Sequence, residues 1–268
     1  MRMSKSHFRA VKRGAEKVVS ICEGWTYPAR GRQFPAMLIN ALPKSGSTFI
    51  AKTLRQTLEC RRADIATKFG ANMRVLSVVA VRGNTVCHQH FPGEPHIIAA
   101  LGATIGRMVL NLRDPRAALV SWTHSVNGLN REHSYLRALQ MARVIPPGYF
   151  EMSIQDQVAW QVDNRLPFSV EWIRRWLEAV DQPTPELAIL LTDYRDMIAD
   201  TRAFMERILE FYGIAIEPEW LTVRKPQPGQ WKFRAGTTKD WRADYSPAAL
   251  DRATSMMPES WGARFGWQ

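Results

Sequence analysis

Pro43-Lys44-Ser45-Gly46-Ser47-Thr48 places a cation, a glycine and three hydroxyls in six consecutive positions. The run Ala36-Met37-Leu38-Ile39-Asn40-Ala41-Leu42 precedes it, and Phe49-Ile50-Ala51-Lys52-Thr53-Leu54 follows. The order reads as buried strand, tight polar loop, helix. Such a turn aims backbone N–H groups and the positive end of a helix dipole at one spot, which suits a phosphate. Lys44 adds a full positive charge, Gly46 admits close backbone approach, and Ser47 and Thr48 add hydroxyl donors. The competing reading is an ordinary strand-to-helix turn in which a serine caps the helix. The nucleotide-hydrolase loop G-x-x-x-x-G-K-[ST] does not fit, because here the lysine precedes the loop's glycine.

The strand–K-S-G-S-T–helix loop resembles the 5′-phosphosulfate loop of sulfotransferases that use 3′-phosphoadenosine 5′-phosphosulfate (PAPS). Three further segments carry that resemblance, in the family's order. Leu110-Asn111-Leu112-Arg113-Asp114-Pro115-Arg116-Ala117-Ala118-Leu119-Val120-Ser121-Trp122 resembles the 3′-phosphate segment. The resemblance implies Arg113 and Ser121 as its ligands; a guanidinium gives phosphate forked, charge-assisted bonds. Phe233-Arg234-Ala235-Gly236-Thr237-Thr238-Lys239-Asp240-Trp241-Arg242 is similar to the family's R-K-G-x-x-G-D-W-K, with Ala235 and Lys239 as departures. It implies cofactor contacts at Arg234 and Gly236. Tyr194-Arg195-Asp196-Met197 resembles a Y-E-D-M turn whose tyrosine lies near the adenine nucleotide; the alternative for Tyr194 is a half-buried aromatic at a strand end. Phe49 stands where many members stack a tryptophan on adenine.

The resemblance implies sulfuryl transfer from PAPS to a hydroxyl or amine, leaving 3′,5′-adenosine bisphosphate (PAP), with no metal required. Lys44, Ser45, Gly46, Ser47 and Thr48 would hold the 5′-phosphate, and Lys44 would stabilise charge on the leaving group. Cys87-His88-Gln89-His90-Phe91-Pro92 resembles a K-T-H-L-P segment whose histidine is the general base, which places that role on His90. A histidine titrating near neutrality suits such work. His88, Glu94 and His96 are the alternatives. The competing reading is a pair of strand histidines without a catalytic role, one buried and satisfied, the other exposed.

The elements that must position these groups alternate. Val75–Val81 and Arg107–Leu112 read as strands, Leu187–Leu191 as a short buried strand, and Thr85–Phe91 as either a further short strand or a strand end. Asp114-Pro115 opens a helix to about Ser125, and residues 127–150 are partly loop with a break at Pro146-Pro147-Gly148. Ser153 caps helix that continues in segments to about Val180, interrupted by Pro167. Asp200 caps a helix whose Phe204, Ile208, Phe211 and Tyr212 share a face and which Gly213 ends; Ser246-Pro247 opens the last helix. Buried strands alternating with helices predict an α/β fold, a mainly parallel central sheet flanked by helices, with a P-loop-like site at the strands' carboxyl ends.

The 268 residues suffice for one large domain, expected over 35–268, preceded by a basic helix and connector over 1–34. The chain carries 36 basic against 25 acidic residues, a net charge of +11, concentrated early at Arg2, Lys5, Arg9, Lys12, Arg13 and Lys17. With Phe8, Val11, Ala15 and Val18 at helical spacing, that segment suits packing on the body or peripheral contact with a membrane surface. No interleaved aromatic–basic motif points to nucleic acid. No run approaches the roughly 18–20 apolar residues of a membrane span, and three cysteines lack metal-ligand spacing. The expectation is a cytoplasmic enzyme acting on a saccharide, a glycolipid or a small metabolite. Trp122, His124, Trp160 and Trp172 are candidates for an acceptor cleft, against the usual reading of helical aromatics as core. A P-loop kinase or a non-catalytic nucleotide-binding or membrane-surface protein are the rival classes.

Overall fold

The computed structural model describes residues 33–62, 66–67, 70–71, 80, 83–131, 145–223 and 241–267. In chain order the main elements are β1 (Met37–Ala41), α1 (Ser47–Leu58), β2 (Arg61–Arg62), β3 (Thr85–Gln89), α2 (Pro95–Thr104), β4 (Arg107–Leu112), α3 (Pro115–Arg131), α4 (Ile154–Asn164), α5 (Leu166–Asp181), β5 (Ala188–Asp193), α6 (Tyr194–Ala199), α7 (Thr201–Phe211), α8 (Pro247–Ser255) and α9 (Glu259–Phe265). The five strands form one sheet in the order β2-β3-β1-β4-β5, and every pairing is parallel. The chain steps from β1 to β3 on one side, then returns past β1 to β4 on the other. Loops leaving β1 and β4 therefore diverge and open a crevice at their carboxyl ends.

Both sheet faces are buried, which is why β1 and β4 read as near-continuous apolar runs. Met37, Ile39, Val86 and Val109 face one way, against Ile50, Leu54 and Leu58 of α1 and Phe204, Met205 and Ile208 of α7. Leu38, Cys87, Met108 and Leu110 face the other, against Leu101 of α2, Ile173 and Trp176 of α5 and Trp261 of α9. A third cluster joins helices only: Leu119 and Val120 of α3, Val158 and Val162 of α4, and Ala249 and Ala253 of α8. Tyr212 sends its hydroxyl into the sheet, accepting from the Leu38 N–H at 3.0 Å and lying 3.3 Å from the Arg107 carbonyl. Burial raises its phenol pKa, so it stays a neutral donor between β1 and β4.

The expected strands Arg107–Leu112 and 187–191 appear as β4 and β5, and the caps at Ser153, Asp200 and Ser246 accept from Asp156, Ala203 and Ala249. Four differences have physical reasons. The helix opened by Pro115 runs to Arg131, past the expected stop near Ser125, because Val126 buries and the helix continues through Gly128, which does not take a positive φ. The break expected at Pro167 falls at Arg165, since a proline ring at the second helical position excludes the turn before it. Ser246-Pro247 opens α8, but α9 follows it and ends on Gly266 in the left-handed region. The helix α2 escapes sequence reasoning, having no acid in its first turn and no side-chain cap. The expected helix of 1–34 and the strand Val75–Val81 lie almost wholly outside the described residues.

Candidate functional site

The loop after β1 is built from unusual backbone. Lys44 and Gly46 both adopt positive φ, 74° and 84°, in a loop that connects directly to α1. Gly46, not a serine, is the N-cap of α1, and its carbonyl accepts from Phe49 and Ile50 at 2.9 and 3.0 Å. The serine-cap reading therefore fails, and the N–H groups of the first turn point out of the helix end without a capping side chain. At a φ of 84° Gly46 stands where an L side chain is strained, and a Cβ there would also displace the Met197 Cε at 2.7 Å, so the turn favours glycine. The Ser45 hydroxyl is buried and has no hydrogen-bond partner among the described residues. Orphaned buried hydroxyls are rare, and one inside a cation-bearing loop at a helix N-terminus fits a phosphate oxygen.

The loop leaving β4 is tied to this one. Asn111 donates from Nδ2 to the Ser45 carbonyl at 2.6 Å and accepts from the Thr192 hydroxyl at 2.8 Å. Arg113 donates from Nη1 to the Lys44 carbonyl at 2.9 Å, and its guanidinium lies 4.2 Å from the centroid of the Tyr194 ring. Lys44, Ser45, Gly46, Arg113 and Tyr194 thus converge where β1 and β4 diverge. Ser47 is buried, Thr48 is exposed, and Phe49 is half-buried against the core beside α1. Ser121 is half-buried in α3 and makes no side-chain hydrogen bond among the described residues. Asp114 accepts from the Arg116 N–H at 2.9 Å as helix cap and also grips the buried Arg116 guanidinium at 2.9 Å. Arg234 and Gly236 lie outside the described residues.

His90 stands just past β3, beside the same loop. Its Nδ1 is 2.7 Å from the Ala41 carbonyl, which can only accept, so Nδ1 carries the proton and Nε2 the lone pair. Solvent reaches the residue, yet the protein packed around the ring pushes its pKa below the ordinary histidine value. The Arg165 charge pushes the same way, and the Ala41 hydrogen bond opposes both. The following turn is pinned: the Phe91 carbonyl accepts from Asn40 Nδ2, Trp172 Nε1 and Trp176 Nε1 at 3.3, 2.8 and 2.9 Å. His88 instead turns Nε2 toward the Thr48 hydroxyl at 3.5 Å. Glu94 is engaged by Arg175 and His96, each at 3.5 Å, and His96 is largely exposed.

A cavity of about 270 Å³ adjoins this group. Leu42 and Pro43, between the carbonyl that holds His90 and Lys44 itself, form part of its wall. Trp122 of α3, Trp160 of α4 and Trp172 of α5 line it, with Phe168, itself 75% exposed, beside them. Three of the four aromatic candidates therefore do line a cleft. His124 does not; it holds Asp244 through Nε2 at 2.9 Å. Sequence reasoning missed Arg165, Asn40 and Asn111. The asparagines left a signal, each a polar residue inside an otherwise apolar buried strand, and Arg165 left one in its place two residues before a proline.

The chain matches the sulfotransferase domain model over residues 34–225. No curated protein matches it significantly. Among solved structures it is similar to mouse sulfotransferase SULT7A1 complexed with PAP, at 11% identity over 87% of this chain and 89% of that one, with a TM-score of 0.57. The sulfotransferase domain from the curacin biosynthetic pathway aligns over 85% of this chain and 100% of that one, at 12% identity and a TM-score of 0.47. Since the family model spans the phosphate loop, the His90 turn, Arg113 and Tyr194 together, the chain belongs to the sulfotransferase domain family.

Proposed function

We propose that the protein transfers the sulfuryl group of PAPS to an acceptor hydroxyl, with His90 as general base. The observation that carries this reading is the convergence of a phosphate loop holding an orphaned buried hydroxyl with Arg113 at the point where β1 and β4 diverge. Ser45, Ser47, Thr48 and the first-turn N–H groups of α1 would hold the 5′-phosphate. Arg113, oriented by the Lys44 carbonyl and the Tyr194 ring, would take the 3′-phosphate with Ser121. PAPS supplies the activated sulfuryl group. As its sulfur–oxygen bond to the 5′-phosphate breaks, charge grows on that oxygen, where the Lys44 ammonium neutralises it. As the acceptor oxygen bonds to sulfur, its proton passes to His90 Nε2, whose lone pair the Ala41 carbonyl keeps available. Phe49, Arg234 and Gly236 complete the nucleotide site in this reading, and the acceptor is a saccharide, a glycolipid or a small metabolite.

The test is calorimetric titration with PAP against ATP–magnesium and 5′-AMP. Preference for PAP supports the reading. Preference for ATP–magnesium would replace it with a kinase, and no nucleotide binding would replace it with an inactive fold.

A further inference from the structure

Among the described residues that line the cavity beside His90, Arg165 is the one that carries a charge. It sits at the break between α4 and α5, half-buried, with its guanidinium 3.7 Å from the centroid of the Trp122 ring. No carboxylate among the described residues pairs with it. Its neighbours differ: Arg174 and Arg175 hold Glu171, Arg252 holds Asp163, and Arg264 holds Asp181. Asp163, the acid closest in sequence, is thus turned outward to Arg252. A guanidinium partly withdrawn from water, with an aromatic face on one side and no acceptor for its N–H fork among the described residues, is an unsatisfied recognition group. Burial alone already draws its pKa down to about 10.

From this we infer that the cavity binds a ring-bearing acceptor that carries a carboxylate, with Arg165 as the carboxylate's forked partner. The inference rests on the sulfotransferase reading for the word acceptor, and on the cavity alone for the anion subsite. Trp122, Trp160 and Trp172 offer faces for a sugar or aromatic ring, and Arg165 fixes which end of it enters. Arg165 touches the acceptor, not the reacting atoms; the hydroxyl at the ring's other end would lie toward Pro43 and Lys44.

The test compares p-nitrophenyl β-D-glucuronide with p-nitrophenyl β-D-glucoside, which differ by a carboxylate against a hydroxymethyl group. Quenching of tryptophan fluorescence reads binding with PAP present and absent, so the result does not depend on turnover. Titration with PAP alone reports the nucleotide site separately. The expected result is glucuronide binding tighter by about ten- to a hundredfold, the range of a charge-assisted bond. Arg165→Gln should erase that preference while leaving glucoside and PAP binding unchanged, and Arg165→Lys should keep part of it. Arg252→Gln, which removes a surface charge elsewhere, should keep all of it. Equal binding of the two glycosides to the unaltered protein would overturn the inference, whatever the variants do. So would an Arg165→Gln that binds both glycosides as before but loses turnover equally, since the arginine would then serve the transfer step.

Discussion

His90 divides its two ring nitrogens between structure and chemistry. Nδ1 is spent on the Ala41 carbonyl, leaving Nε2 to accept a proton, and the ring's surroundings favour the neutral, basic form. The activity of this protein should therefore hold to lower pH than an ordinary histidine of pKa about 6.5 allows. Arg165 contributes to that shift by disfavouring a second positive charge nearby. Arg165→Gln should move the acid limb of the kcat/KM profile upward, so that activity is lost sooner as pH falls; an unmoved or lowered limb would contradict the coupling. His90→Ala should retain PAP binding and lose about 10²- to 10⁴-fold in turnover. If turnover survives in that variant, the base moves to His88 or Glu94. Lys44→Ala should cost about 10²- to 10³-fold in kcat with thermal stability near that of the parent, the scale of losing one donor to developing charge.

At the scale of elements, the site depends on how strand ends are tied together. Asn111 links β4 and β5 to the phosphate loop by serving the Ser45 carbonyl and the Thr192 hydroxyl at once. Asn111→Ala leaves the buried Ser45 carbonyl without its side-chain donor and the Thr192 hydroxyl with only its 3.3 Å bond to the Leu110 carbonyl; it should cost about 1–3 kcal/mol, read as a lowered Tm together with weaker PAP binding. Gly46→Ala forces a side chain onto Met197 and into a positive-φ position; a loss of about 1–3 kcal/mol and of nucleotide binding is expected by the same two measurements. The strands and the loop were legible because both follow local rules: apolar runs for a doubly covered sheet, and a cation, glycine and hydroxyls between strand and helix. The helix α2 was not, because Ile97, Ile98 and Leu101 are held by packing on the sheet and Pro95 at its first position stands without a side-chain cap or a first-turn acid to support it. Arg113 and Tyr194 were each legible as residues, but their stacking was not, since β4 and β5 bring together side chains 81 positions apart. Arg165 and the cavity were hidden for a related reason: they arise where three helices and a loop meet.

Across the whole molecule, ligand and fold stabilise each other. The phosphate loop leads into α1, is tied to β4 by Asn111 and packs on Tyr194, so PAP bound there should stiffen the sheet's carboxyl edge. At a concentration about 100-fold above its Kd, PAP should add about 2.7 kcal/mol, measured as a raised Tm that ATP–magnesium does not match. The carboxyl-terminal end also supports this edge. Trp267, stacked on Phe265 with centroids 4.4 Å apart, donates from Nε1 to Asp193 Oδ2 at 3.0 Å. Asp193 in turn accepts from the Arg195 N–H at 2.7 Å and so starts the helix that carries Tyr194.

Trp160 and Asn164 line the cavity from α4, whose buried Val158 and Val162 rest on α3 and α8 and not on the sheet. Apart from Ser121 of α3, the groups that would handle nucleotide and proton sit at strand ends and in the turns that leave them. The two sets can therefore mutate under separate constraints. A duplicated copy of this gene could drift toward a new acceptor through α4 while its transfer chemistry stays intact. A library randomised only at Trp160 and Asn164 should yield mostly folded, PAP-binding proteins whose acceptor range has changed.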